Sequence, residues 1–192
     1  MPVRQPTEQE IAAILGEVIA NVREREQTYL PRATPLSEAQ KSAMQPFFPQ
    51  STLDEVRVLE LKEERVPNPQ YYERATRRGY RLMLDFRHMP DITHPQLMIF
   101  QEKLSPRLLF HALVHVVQYA VLGLETYLDL YVRAFMQRGS YPSVPLEAQA
   151  FRLDQRYTEN PGSVFSVEAE VRQWAQQGKY LLPSAGERKL GA

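Results

Sequence analysis

The stretch that decides the fold is Phe110-His-Ala-Leu-Val-His-Val-Val-Gln-Tyr119, an apolar run with two histidines four residues apart. At about 100° per residue, helical positions 111 and 115 lie roughly 40° apart on one face, so both imidazoles can converge on one ion. Ser105 and Pro106 supply a helix N-cap and a first-turn proline, and Gly123 supplies a terminator. The sequence therefore predicts a buried helix that carries two potential metal ligands.

The spacing from His111 to His115 matches the H-E-x-x-H motif of zinc peptidases at both histidines and departs from it at Ala112. In a working site, the glutamate at that position takes a proton from the zinc-activated water and later delivers it to the leaving amine. Ala112 has no proton to move. The motif thus predicts a Zn²⁺ site that keeps its binding groups and lacks its general base.

Zinc held by two histidines needs a third protein ligand, and a catalytic site keeps a fourth position open. The two other histidines of the chain, His88 and His94, both precede the motif, which excludes the downstream histidine of the metzincins and leaves a carboxylate. Glu147 is the best candidate, because its apolar neighbours on a separate helix make an unpaired carboxylate costly. Glu125 and Asp129 remain alternatives. A histidine pair that only hydrogen-bonds, without metal, is the rival interpretation.

Capping residues and apolar periodicity predict the other elements. Helices are expected over 8–25, 38–45, 124–137, 145–157 and 167–177. Alternation over 56–61 and 80–86, with an apolar run at 97–100, predicts a small antiparallel sheet. The predicted fold class is α+β, with the sheet followed by a mostly helical half that carries the zinc site. Residues 1–182 are expected to form one domain and residues 183–192 a frayed tail.

Composition excludes several classes of function. Acidic and basic residues both total 23, so no global field attracts nucleic acid or an anionic membrane. The arginines at 74, 77, 78 and 81 are interpreted as a solvated face. The absence of cysteine excludes thiolate ligands and disulfides, and the polar N-terminus has no signal-peptide core. We expect a cytoplasmic protein with a peptide or protein partner, although a disulfide-free exported protein fits equally; the oligomeric state is left open.

The segment Phe110–Tyr119, together with Gly123, Tyr131-Val-Arg133 and Pro145-Leu-Glu147, resembles small bacterial zincin-like metallopeptidases with a HELVHVVQY-type helix. It is similar, more distantly, to the thermolysin-like gluzincins, and the resemblance covers about residues 97–157. The resemblance implies that His111, His115 and Glu147 bind zinc. It also implies that an edge strand near Leu97–Phe100 aligns an extended peptide.

Two positions depart from the family pattern. Ala112 replaces the catalytic glutamate, and Phe151 stands where the gluzincins place an aspartate that orients a zinc-binding histidine. Asp154 or Asp129 would have to supply that carboxylate. Tyr141 is a weak candidate for stabilising the oxyanion of the reaction, with Tyr131 and Arg133 as others.

The function predicted from these residues is that of a zinc metallopeptidase which is inactive as it stands. Ala112 is either a substitution introduced to inactivate the enzyme, which we favour because every other part of the motif survives, or a natural loss. A natural loss would leave a zinc-containing module that binds peptides or proteins. The third possibility is a purely structural domain without metal.

Overall fold

The computed structural model describes residues 7–77, 85–160 and 162–182. Within these ranges the helices are α1 Glu8–Tyr29, α2 Glu38–Met44, α3 Gln50–Glu55, α4 Gln70–Arg77, α5 Pro106–Leu122, α6 Leu124–Arg138, α7 Pro145–Glu159 and α8 Val167–Gln176. The strands are β1 Thr34–Pro35, β2 Arg57–Glu60, β3 Asp91–Thr93 and β4 Leu97–Phe100. The fold is therefore α+β, as the sequence predicts, with a small sheet and a helical C-terminal half.

Side-chain caps begin the helices where the sequence places them. Thr7 and Glu10 form a reciprocal capping box at α1, and Ser37 and Gln40 form another at α2. The Ser105 hydroxyl accepts a hydrogen bond from the Leu108 backbone N–H at 3.1 Å at the start of α5. The helix then ends at Gly123, whose φ of 78° lies in the region that favours glycine. With the Ser166 cap of α8, side-chain caps begin four of the eight described helices.

The sheet differs from the predicted one in direction. Its order is β1-β2-β4-β3, with β1 and β3 antiparallel to their neighbours and β2 parallel to β4. The expectation of an antiparallel sheet was therefore wrong. Alternation of apolar and polar side chains specifies which face of a strand is buried, whereas the direction of its neighbour depends on the connection between them.

The strand Leu97–Phe100 was also expected to be an edge, and this too was wrong. It is β4, which pairs with β2 on one side and β3 on the other and is buried along its whole length. The edge that contacts α5 is β3, a three-residue strand between Pro90 and Pro95. Three residues carry too little alternation to be recognised in the sequence.

Other expectations from the middle of the chain have mixed outcomes. Most of the predicted strand at 80–86 lies outside the described residues, and Phe86 belongs to a short 3₁₀ turn over Phe86–His88. The helices α3 and α4 were not predicted. In the arginine cluster, Arg74 pairs with Glu17 and Arg77 is exposed. Positions 78 and 81 lie outside the described ranges. The tail over residues 183–192, which was expected to be frayed, lies outside them as well.

The helix α5 lies at the centre of the molecule. Eleven consecutive residues, Leu109 to Tyr119, are buried on all sides, and the helix contacts α6, α7, α8 and β3. On one side Phe110 packs against Phe47, Phe48, Tyr157 and Phe165 at ring separations of 4.4–6.0 Å. Among the described helices none alone has the length and apolarity to cross a membrane; α5 and α6 reach them only as a pair, which is bent by 116°.

Candidate metal centre

Three polar side chains meet between α5 and α7. His111 and His115 lie one helical turn apart on α5, and Glu147 lies in the first turn of α7. Pro145 begins α7, and its next turns insert Leu146 and Ala150 into the core. This packing fixes α7 against α5, so the Glu147 carboxylate is held beside the two imidazoles although all three side chains are at least 95% buried.

The spacing of the three facing atoms matches a tetrahedral metal site. The Nε2 atoms of His111 and His115 are 3.1 Å apart, and Glu147 Oε2 lies 3.4 Å from the first and 3.2 Å from the second. Zinc bonds of about 2.0 Å in tetrahedral geometry require ligand atoms about 3.3 Å apart. The three atoms thus outline one face of such a tetrahedron. These residues can hold a metal ion.

Hydrogen bonds on the far side of each ring place the protons away from this face. His111 Nδ1 donates to the Asp154 carboxylate at 2.9 Å, and Arg107 donates to the same carboxylate at 2.9 and 3.1 Å. His115 Nδ1 donates to Gln118 Oε1 at 2.8 Å. Such outer hydrogen bonds select the tautomer and orientation of metal-binding histidines. Both Nε2 atoms are therefore left as lone-pair donors.

A second set of contacts fixes the direction of the Gln118 amide. Its Nε2 group donates to the Leu146 carbonyl at 2.9 Å and to Gln149 Oε1 at 3.0 Å, so its oxygen must face His115. Gln149 Oε1 also accepts from the Tyr180 hydroxyl, while the Gln149 amide donates to the Glu170 carbonyl. The tautomer of His115 thus depends on a chain of contacts through α7 and α8.

The face enclosed by the three residues requires a cation. Glu147 Oε2 is buried and lies 3.4 and 3.2 Å from the two Nε2 atoms, so it has a hydrogen-bond partner there only when one of the rings carries a proton on Nε2. Without a metal, only protons can relieve the repulsion among these three atoms. Burial opposes the charged form of His111, but Asp154 and Glu147 raise its pKa well above the usual range. Burial likewise opposes charge on Glu147, yet the two imidazoles lower its pKa. Two nitrogens and one carboxylate oxygen fit zinc.

Two cavities adjoin the centre. One, of about 90 Å³, is lined by His115 and Glu147 and is rich in tyrosine; the other, of about 250 Å³, is lined by His111 and Asp154. Asp91 and Tyr141 line both cavities. Burial raises the pKa of Asp91, and Thr93 donates a hydrogen bond to it at 3.2 Å. Each of the three residues of the centre therefore lines a cavity that can hold a small group.

The structure places the candidate tyrosines beside Glu147. Burial, and next the Glu147 charge, raise the pKa of both Tyr131 and Tyr141, so each keeps its hydroxyl proton. Arg133 lies elsewhere and pairs with Asp129 and Glu8. Of the proposed oxyanion candidates, the two tyrosines are near the centre and Arg133 is not.

The structure also distinguishes between the carboxylates that the sequence left as alternatives. Asp154 is the carboxylate that orients His111, whereas Asp129 binds Arg133 and Glu125 is exposed. The ring of Phe151 packs 4.7 Å from that of His111. Ala112 is fully buried in the apolar cluster that contains Phe110, and it lines neither cavity.

Sequence reasoning missed Gln118, Tyr127 and Asp91. A polar residue three positions after His115 in a wholly apolar helix was a usable signal for Gln118, because such a side chain requires a buried partner. Tyr127, whose hydroxyl lies 3.1 Å from His115 Nδ1, and Asp91 come from α6 and β3. No local pattern marks either of them.

The chain matches no protein-family model, no curated protein and no solved structure with which it was compared. The resemblance to the zincin-like peptidases therefore stays a prediction from the sequence motif.

We expect the purified chain to bind about one Zn²⁺ with high affinity, because the ligands do not include the residue at position 112. His111→Ala or His115→Ala should abolish this binding, and Glu147→Ala should weaken it strongly. Metal analysis after gel filtration measures the content. The exposed His88 provides a matched control, and His88→Ala should keep full occupancy. Full occupancy in the His111→Ala/His115→Ala double variant would disprove the assignment.

Removal of the metal should destabilise the fold, because the ion joins α5 to α7 only in the folded state. At free metal a hundredfold above the dissociation constant, the stabilisation is about 2.7 kcal/mol, or about 5 to 10 °C in Tm for this chain length. Melting curves with and without chelator measure the difference. An unchanged curve after verified metal removal would contradict a metal between these helices.

Asp154→Asn should lower zinc affinity by about 10- to 100-fold while leaving the ligands in place, because the amide no longer anchors His111 as a carboxylate does. Competition with a chromogenic chelator gives the affinity. Asp129→Asn is the matched control, since Asp129 pairs with Arg133 away from the centre. Equal affinities in the two variants would rule out the orienting role of Asp154.

Proposed function

We propose that the chain is a zinc-binding protein of the zincin-like metallopeptidase type, whose centre lacks its general base. The observation that carries the proposal is the triangle of His111 Nε2, His115 Nε2 and Glu147 Oε2, with sides of 3.1 to 3.4 Å. Bound zinc would supply a Lewis acid that polarises a peptide carbonyl and acidifies water.

The arrangement around the triangle supports a peptide as the partner. Two cavities adjoin the centre, one at His115 and Glu147 and the other at His111, and both offer space for parts of a peptide. The edge strand β3 contacts α5, and its second side pairs with no strand among the described residues, so an extended chain can add hydrogen bonds there. Tyr141, which keeps its proton and lines both cavities, can donate a hydrogen bond to an oxygen bound there.

The residue at position 112 divides this proposal into two functions. A peptidase needs a group that moves a proton, and Ala112 cannot do so. Its side chain is enclosed by the apolar cluster around Phe110 and Ala150, which favours the second candidate, a zinc-containing module that binds peptides without cleaving them. The same ligands and cavities serve both functions.

Ala112→Glu distinguishes the two candidates. If the scaffold is that of a peptidase, the glutamate should raise zinc-dependent cleavage by about 10²- to 10⁴-fold over the alanine form, the usual contribution of a positioned acid–base group. Ala112→Gln is the matched control, because it has the same size and cannot take a proton. The assay is mass spectrometry of a proteome-derived peptide library, with and without chelator.

The outcomes of this experiment separate the candidates. Cleavage by the glutamate form alone, lost with chelator, supports the peptidase. If that form binds zinc and cleaves nothing while the alanine form retains particular peptides, the binding module is correct. Absence of zinc from every form would reject both candidates and leave a structural domain.

A further inference from the structure

The tyrosine-rich cavity does not end at the metal ligands. From His115 and Glu147 it continues to α1 and to the turn after β3, where Arg25 and His94 line it. Its volume of about 90 Å³ exceeds that of a single water. Two polar groups thus lie at the end of the cavity away from the centre, and neither takes part in metal binding.

Arg25 is a buried cation without a counter-charge. Its guanidinium lies 3.9 Å above the Phe86 ring and donates one hydrogen bond, at 3.1 Å, to the Pro67 carbonyl. None of the ion pairs among the described residues includes Arg25; burial lowers its pKa, and the charge of the neighbouring exposed Glu24 offsets this only in part. The buried Asp91 interacts instead with the histidines at the other end. An uncompensated buried charge is costly unless a partner completes it.

His94 is unpartnered at the same place. Its side chain is 2% exposed, and neither ring nitrogen has a hydrogen-bond partner among the described residues. Burial, together with the nearby charge of Arg25, lowers the pKa of His94 to about 3, so the ring is neutral and offers one N–H donor. Native proteins leave few buried polar groups unsatisfied. Arg25 and His94 both line the tyrosine-rich cavity, and Arg25 also lines a groove that it shares with Glu24 and Pro67.

We infer that this end of the cavity binds a carboxylate of a peptide, with Arg25 and His94 as its donors, while the peptide occupies the metal centre. That the ligand is a peptide rests on the proposed function, whereas the preference for an anion rests only on the residues that line the cavity. A single guanidinium matches one negative charge, so a carboxylate is favoured over a doubly charged phosphate. The Phe86 ring and the Pro67 carbonyl hold the guanidinium in position, which reduces the entropic cost of binding.

The test uses acetylated tetrapeptide libraries with the zinc-loaded chain. One library has a free C-terminal carboxylate, a second is amidated, and a third is amidated with Asp or Glu as its last residue. Retention by ultrafiltration and mass spectrometry gives relative affinities. The free acid should bind about 10- to 100-fold more tightly than the amide, the usual range for a buried charge-assisted hydrogen bond. If the third library matches the first, an acidic side chain is the ligand; if not, the chain terminus is.

Substitutions test whether Arg25 and His94 cause the preference for a carboxylate over an amide. Arg25→Gln should remove it, whereas Arg23→Gln removes the same charge from an exposed position of α1 and should retain it. His94→Leu, which leaves the guanidinium in place, should reduce the preference and remains informative if Arg25→Gln does not fold. Equal binding of acids and amides, or a preference that survives in folded Arg25→Gln and His94→Leu, would overturn the inference.

Zinc content is measured on the same samples. A preference that depends on Arg25 in protein without zinc would keep the carboxylate site and reject the metal proposal. If the unsubstituted chain holds its full zinc content and the preference disappears only in Glu147→Ala, the carboxylate binds the metal. That result overturns the inference and leaves the proposed function intact.

Discussion

Two imidazole lone pairs and one carboxylate oxygen face each other at 3.1 to 3.4 Å between α5 and α7, and the rest of the structure depends on that contact. Such an arrangement is repulsive in a buried setting unless a cation occupies it. The protein stabilises it by hydrogen-bonding both Nδ1 atoms outward, so the rings cannot turn to relieve the repulsion.

The cost of that centre explains why α5 is buried on every side. A helix with a free surface could rotate and separate the lone pairs, whereas α5 is enclosed by α6, α7, α8 and β3. The Phe110 cluster holds one side of it. On the other, the contacts from His115 through Gln118 and Gln149 to Tyr180 connect the centre to the end of the described chain. Packing and polar contacts therefore maintain the same geometry.

The positions of charge around the centre suggest a direction for a bound peptide. Carboxylates lie at the metal end, in Glu147, Asp91 and Asp154, and the uncompensated cation lies at the far end of the tyrosine-rich cavity, in Arg25. A peptide that places its carboxylate beside Arg25 would bring a negative charge to the only arginine in the lining of the tyrosine-rich cavity. The same placement would keep that charge away from the three carboxylates. The apolar rings between the two ends accommodate uncharged atoms.

The sequence by itself determined the helical frame and most of the centre. Caps and turns act within four residues, so Thr7, Ser105 and Gly123 specified helix ends without knowledge of the fold. The four-residue spacing of His111 and His115 specified a common face. Glu147 could be singled out because a carboxylate among apolar residues needs a partner, although the sequence could not exclude Glu125 or Asp129.

Only the tertiary structure decided which distant residues meet. Asp154 lies 43 residues from His111, and nothing local distinguishes it from Asp129 as the orienting carboxylate. The pairing of β2 with β4 is parallel because of the long connection between them, which alternation does not encode. Arg25, on α1, and His94, in the turn after β3, line one cavity only because the fold brings these distant parts of the chain together. Local hydrogen bonding is written into short stretches of sequence, whereas convergence of side chains depends on how the elements pack.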